Sequence, residues 1–301
     1  MELSLDTQTI VNLFIPFTLM VIMFSMGLGL ALKDFKLVAL QPTAVILGSF
    51  CQLIILPLVG FAVAWLFAPS PAMAVGLVLI TACPGGPSSN LMTNLAGGDT
   101  ALSVSLTALS GVVTIVTIPL ITNSAAAFFA KESAGLTLPV LDTILRLILI
   151  VALPLLVGMV VHNFRPAFAA RIETNVKRAA VVLLAVLIVG ALIKSRHELA
   201  SYGFSAIWPP ILLSIAGVAI GLGVSFISNI TPQQRVAIPI EVGAQNGALA
   251  IGLALTAMNS TDAAFPGVVY GTFMYLPCAA MVVFGRRYLA SKEHHAHHPV
   301  S

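Results

Sequence analysis

Residues 81–98 read TACPGGPSSNLMTNLAGG, and they lie inside an apolar run of membrane length. Two prolines, four glycines and several polar side chains over so short a stretch usually mark a surface loop. Here the flanking residues on both sides are those of a membrane helix. Pro84 and Pro87 each remove a backbone donor, so a helix through this stretch must break. A break facing lipid would leave amides and carbonyls unpaired at several kcal/mol each. It is tolerable only where protein or a water-filled cavity surrounds it.

Composition supports that setting. Of the 301 residues, 58% are apolar and 8% are charged, and the mean hydropathy is +1.04. A soluble domain carries about 25% charged residues, so this chain is expected to be an all-α polytopic membrane protein. Its apolar runs are continuous and about 20 residues long, as helices require, rather than about 10 and alternating as in barrel strands. The net charge of +3 and pI near 8.9 reflect loop lysines and arginines rather than a nucleic-acid partner. Cys51, Cys83 and Cys278 fall in apolar segments without metal or CxxC spacing and read as core residues. The opening MELSLDTQTI lacks the basic region of a signal peptide, so the first span is expected to be retained.

Nine membrane segments are expected, at about 10–31, 41–67, 71–96, 101–129, 137–161, 175–193, 206–229, 234–258 and 264–289. A basic loop is expected at 162–178 and a solvated cytoplasmic tail at 292–301. With the N-terminus outside, the inner loops and tail hold Lys33, Lys36, Arg165, Arg171, Lys177, Arg178, Arg235, Arg286, Arg287 and Lys292. The outer loops then hold Lys131, Lys194 and Arg196. This asymmetry places the C-terminus in the cytoplasm of a cell (inner) membrane protein.

A second segment is also abnormal. IPIEVGAQNGALAIG, residues 238–252, puts Glu, Gln, Asn and Gly in mid-span. Paired interruptions at corresponding positions of two halves point to the binding site of an inverted-repeat transporter. The single domain divides into halves of about 1–130 and 137–291, and the broken segment is next to last in each.

Glu241 is the acid placed deep in a span, where insertion of a charge costs about 2.5–3.5 kcal/mol and demands a partner. A bound cation, or a proton, would satisfy it. Ser88, Ser89, Asn90, Gln245 and Asn246 are hard, neutral oxygen donors nearby, which with one carboxylate suit an alkali ion better than a transition metal. Sodium is the expected ion, with protonation of Glu241 as the rival. The next span adds Ser103, Thr107, Ser110 and Thr114 at helical spacing, a stripe that more often bonds backbone carbonyls but here also offers hydroxyl ligands. Gln52 is a further buried oxygen donor. The half-helices direct free N–H groups into the cavity, which favours an anionic substrate. A membrane receptor is a weaker alternative. An enzyme is weaker still, because Glu241 has no neighbouring His, Cys or acid in the sequence.

At these residues the chain resembles the bile acid:sodium symporter family. The carrying motifs are ACPGGPSSNLMTNLAGGDTALSVSLT at 82–107 and IEVGAQNGALA at 240–250, with MFSMGLGL at 23–30 and CQLIILP at 51–57 in support. The resemblance implies an inverted repeat with core and panel domains, two crossing broken helices, and the nine-helix form that lacks the first helix. It implies two sodium ions. One would be held by Ser89, Asn90, Ser103, Thr107 and Glu241; the other by Gln52, Glu241, Gln245 and the carbonyls of Val242 and Ala244. It implies an organic-anion substrate at Pro87, Ser88, Asn246, Gly247 and Tyr275. Bile-acid-like anions, keto acids and pantoate-like hydroxy acids all fit that class. The chain departs from the family where many members have GGTAS and it has GGPSS. It departs again where some bacterial members carry His-Asn and it has Tyr275 and Leu276. Both changes fall on the substrate side. The sequence leaves the oligomeric state open.

Overall fold

Prolines in the first helical turn begin several of the helices, where a missing N–H costs nothing. The computed structural model describes residues 7–30, 41–130, 135–194 and 196–297. Lys33, Lys36 and Lys131, counted in the charge asymmetry above, lie outside them.

The described chain is helical. It comprises α1 (Thr7–Leu28), α2 (Pro42–Phe67), α3 (Pro71–Ala82), α4 (Pro87–Leu95), α5 (Thr100–Phe129), α6 (Val140–Phe164) and α7 (Pro166–Lys194). There follow α8 (Arg196–Tyr202), α9 (Phe204–Ile227), α10 (Pro232–Gly243), α11 (Gly247–Thr256), α12 (Thr261–Phe273) and α13 (Tyr275–His297). Six helices among the described residues are long and apolar enough to cross a membrane: α2, α5, α6, α7, α9 and the α12–α13 pair over Thr261–Lys292. Leu13–Leu28, Pro71–Ala82 and Gly247–Thr256 are shorter apolar helices. Large apolar side chains such as Trp65, Leu141 and Phe164 cover the outer surface, as contact with lipid requires.

Side-chain caps define the starts. Ser70, Asp99 and Ser260 accept the N–H of Met73, Leu102 and Ala263, and Thr231 with Gln234 forms a reciprocal capping box. The third and eighth expected segments are each split, into α3 and α4 and into α10 and α11. The basic stretch expected as a loop at 162–178 is mostly helix: α6 runs to Phe164 and α7 begins at Pro166. Its charged residues sit on a largely exposed helix, so they interrupt the apolar pattern without ending the helix.

Two helices contain widened turns. Leu56 N–H bonds Cys51 O, and Leu153 N–H bonds Ile148 O, each five residues back. The sequences CQLIILP and ILIVALP place Pro57 and Pro154 at the same offset after these turns. In a regular α-helix each proline ring would crowd the carbonyl four residues earlier. Opening the turn relieves the clash.

Helix α1 packs along α6 and α7. A methyl group on Gly158 would lie 2.5 Å from Phe24 O, so glycine there lets α6 and α1 approach backbone to backbone. The remaining helices pack around α10 and α11, whose residues from Val236 to Leu255 are all buried.

Candidate functional site

The two helix breaks meet. Residues 83–86 between α3 and α4 cross residues 244–246 between α10 and α11, joined by an antiparallel bridge between Gly85 and Gln245. Asn246 N–H donates to Pro84 O at 2.9 Å. Each break thus answers part of the other's unpaired backbone, which is how an interrupted helix survives at this depth.

Glu241, in the last turn of α10, is fully buried beside this crossing. The Thr107 hydroxyl donates to its Oε1 at 2.5 Å and the Ser103 hydroxyl to its Oε2 at 2.7 Å. Of the helical stripe on α5, Ser103 and Thr107 thus meet the carboxylate, whereas Ser110 and Thr114 donate to the carbonyls of Thr107 and Ser110 in their own helix. Asn90 Oδ1 lies 2.8 Å from Ser103 Oγ and 3.3 Å from Thr107 Oγ1, and Ser89 Oγ lies 3.5 Å from Thr107 Oγ1. Ser89 itself donates to Gly86 O at 2.7 Å.

The protons do not suffice for these oxygens. Each hydroxyl has one; those of Ser103 and Thr107 serve the carboxylate and that of Ser89 serves a carbonyl. Asn90 Oδ1 is left against oxygens whose protons are already committed. Such a group of crowded acceptors is completed by a cation or by protonation of Glu241. Gly85 closes it on one side, since a methyl there would collide with Glu241 Oε1. Among the described residues no group of three His, Cys, Asp or Glu side chains is present, so the donor set is that of neutral oxygens around one carboxylate.

A second group of oxygens lies across Gly85. Gln52, carried on the widened turn of α2, is buried and donates from Nε2 to Gln245 Oε1 at 3.3 Å; its own Oε1 has no partner. Gln245 Nε2 donates to Val242 O at 2.8 Å, so that carbonyl is already engaged by an amide. Ala244 lies in the break with extended backbone, its N–H bonded to Ile240 O.

On the opposite face of the crossing is a cavity of about 510 Å³ between the half-helix starts and helices α1 and α7. Pro87, Ser88, Asn246, Gly247 and Tyr275 all line it. The start of α4 has no side-chain cap: Pro87 carries no N–H and Ser89 N–H bonds Gly86 O, whereas Asn246 Oδ1 caps α11 through Leu249 N–H. Asn246 Nδ2 is buried with no partner. Asn90 and Gln245 belong to both faces: they line the cavity and touch the oxygen groups.

All the expected site residues are thus brought to the crossing, on its two sides. Sequence reading missed Thr93, whose buried hydroxyl lies 3.4 Å from Ser103 Oγ. Its position four residues after Ser89 on the same helix was the available signal. It also missed Glu173 and Lys177, which line the cavity from a stretch expected to be a loop.

Comparison with known proteins places the chain in a family. Residues 16–202 match the family model for the sodium bile acid symporter family. The chain belongs to that family. Within the sodium bile acid symporter family it is 33% identical to a probable sodium/metabolite cotransporter of rice chloroplasts, BASS2, over 88% of this chain and 62% of the rice protein. It is 31% identical to YocS, an uncharacterized sodium-dependent transporter of Bacillus subtilis, over 95% of this chain and 87% of that one. It is 28% identical to the rabbit ileal sodium/bile acid cotransporter over 62% of this chain and 53% of the rabbit protein. The chain thus spans less than two thirds of the length of the rice and rabbit relatives. Family and relatives are membrane transporters, not enzymes.

Proposed function

We propose that this protein is a sodium-coupled symporter of a small organic anion, working by alternating access. The observation that carries the reading is the buried Glu241 carboxylate among Ser89, Asn90, Ser103 and Thr107, whose three hydroxyl protons are too few for the oxygens gathered there. One sodium ion completes that group. A second occupies the space of Gln52, Gln245 and Glu241 with the carbonyls of Val242 and Ala244, once the Gln245 amide turns away from Val242 O. Sodium on one face draws Asn90 and Gln245 into place, and both also line the cavity on the other face. Ion binding therefore shapes the anion site, where Ser88, Asn246, Gly247 and Tyr275 and the half-helix starts receive the charged group.

The architecture that supports this motion is nine spans in an inverted repeat, halves 1–130 and 137–291, with the N-terminus outside. Helices α1, α6 and α7, which pack together, form the panel; the other spans form the core. The lipid bilayer and sodium are its constant partners. A proton-coupled carrier is the second reading, favoured by the full burial of the Glu241 carboxylate, which costs less when the group is neutral.

The test is thermal stabilisation of the purified protein by a panel of organic anions, with and without sodium. Stabilisation by an anion only in sodium is expected. Stabilisation indifferent to sodium, together with uptake driven by a pH gradient in sodium-free medium, would overturn the sodium reading for the proton one.

A further inference from the structure

Among the described residues, the cavity carries full charge at one place. Of the described side chains that line it, Glu173 and Lys177 are the charged ones; both project from α7 one turn apart, and they form an ion pair. Glu173 lies beside Gly29, just past the end of α1: its Oε1 is 3.8 Å from where a Cβ on Gly29 would be. From Lys177 the lining of α7 continues to Ile188, roughly 16 Å along the axis at 1.5 Å per residue. Val181 and Leu184 make that stretch apolar, and α7 also packs against α11, the half-helix that starts at the crossing.

An anion therefore gains in two separate places: at the crossing, where the buried Asn246 Nδ2 has no partner beside the half-helix starts, and at the Lys177 ammonium. An apolar wall connects them. We infer that Lys177 is a specificity-determining residue for a second acidic group, and that the favoured cargo is an elongated dianion, one acid at the crossing and the other at Lys177. The inference rests on the organic-anion reading above. Glu173 makes the binding reversible. Both partners are partly exposed, so their bond is weak and exchanges readily for a substrate carboxylate. When the substrate leaves, Glu173 takes the ammonium back. A lone lysine at this mouth would instead hold any passing anion.

The experiment uses the full chain in sodium-containing buffer and a chain-length series of straight α,ω-dicarboxylates, each compared with its own monomethyl ester. Length and apolar area are nearly matched within each pair, and one charge differs. At the best length the dicarboxylate should bind about tenfold more tightly than the ester, a difference of about 1.4 kcal/mol. Lys177→Met should bring that ratio near one while the ester's affinity stays within about twofold. Glu173→Gln should raise the ratio, because the ammonium loses its competitor. A purely structural role for the pair would lower both affinities together and keep the ratio. That result, or a ratio near one in the unmodified protein at every length, overturns the inference. If the ester still binds in a sodium-dependent way, the organic-anion reading survives that failure; if no carboxylate binds in sodium at any length, both fall.

Discussion

On one side of the crossing, Ser89, Ser103, Thr107 and Glu241 are buried to 1% exposure or less, and their oxygens lie within hydrogen-bonding distance of one another. On the other, Pro87 is exposed, Ser88 half-buried, and Asn246 Nδ2 lacks a partner beside a cavity of about 510 Å³. The two sides use neighbouring residues of the same short segments. A sealed group of oxygens fits one small bare ion and tolerates little change, because every substitution leaves a buried polar atom unpaired. An open face with a few directed donors can receive differently shaped ligands. The chain's departures from its family pattern, at Pro87 and Tyr275, fall on the open face.

The sharpest way to break this contrast is Glu241→Ala. It removes the charge and strips two hydroxyls of their acceptor, each such bond being worth about 1.5–3 kcal/mol. Sodium-dependent uptake should vanish while the protein remains inserted and monodisperse; uptake that persists with its sodium dependence intact would refute the ion site. Thr107→Val should act in the same direction more mildly. Loss of one bond to a charged acceptor should raise the half-saturating sodium concentration about tenfold or more, with anion affinity at saturating sodium unchanged. An equal loss in both titrations would mean that the two faces are not separable. Asn246→Ala tests the open face and should have the smallest effect. It removes the Leu249 cap, about 1 kcal/mol, and one cavity donor. The expected outcome is anion affinity reduced several-fold with the sodium titration unmoved.

The breaks were legible because Pro and Gly punctuate an apolar run, a purely local signal. The oxygen group is legible because helical spacing lines up Ser103 and Thr107 and because Ser89, Asn90 and Glu241 are polar groups in mid-span; the family resemblance sorts them into ion sites. Other features have no local signature. The pairing of Pro84 and Gly85 with Gln245 and Asn246 joins segments distant in sequence, and neither segment encodes its partner. The widened turn that carries Gln52 depends on Pro57, which reads simply as a tolerated helix proline until the hydrogen bond from Leu56 to Cys51 is seen. Helix α7 was read as starting at 175 rather than at Pro166, because Arg171, Glu173, Lys177 and Arg178 mask its apolar pattern. That error hid the charged end of the cavity.

The bridge between Gly85 and Gln245 has a consequence for how such a chain can change over generations. One inserted residue in either break would shift the register of the seam. It would rotate the half-helix beyond it by about 100°, carrying Ser89 and Asn90 away from Thr107 and Ser103, or Asn246 away from Pro84. The two breaks are therefore locked in length to each other. The spacings from Pro84 to Asn90 and from Glu241 to Asn246 thus form one shared measure that neither half can alter alone.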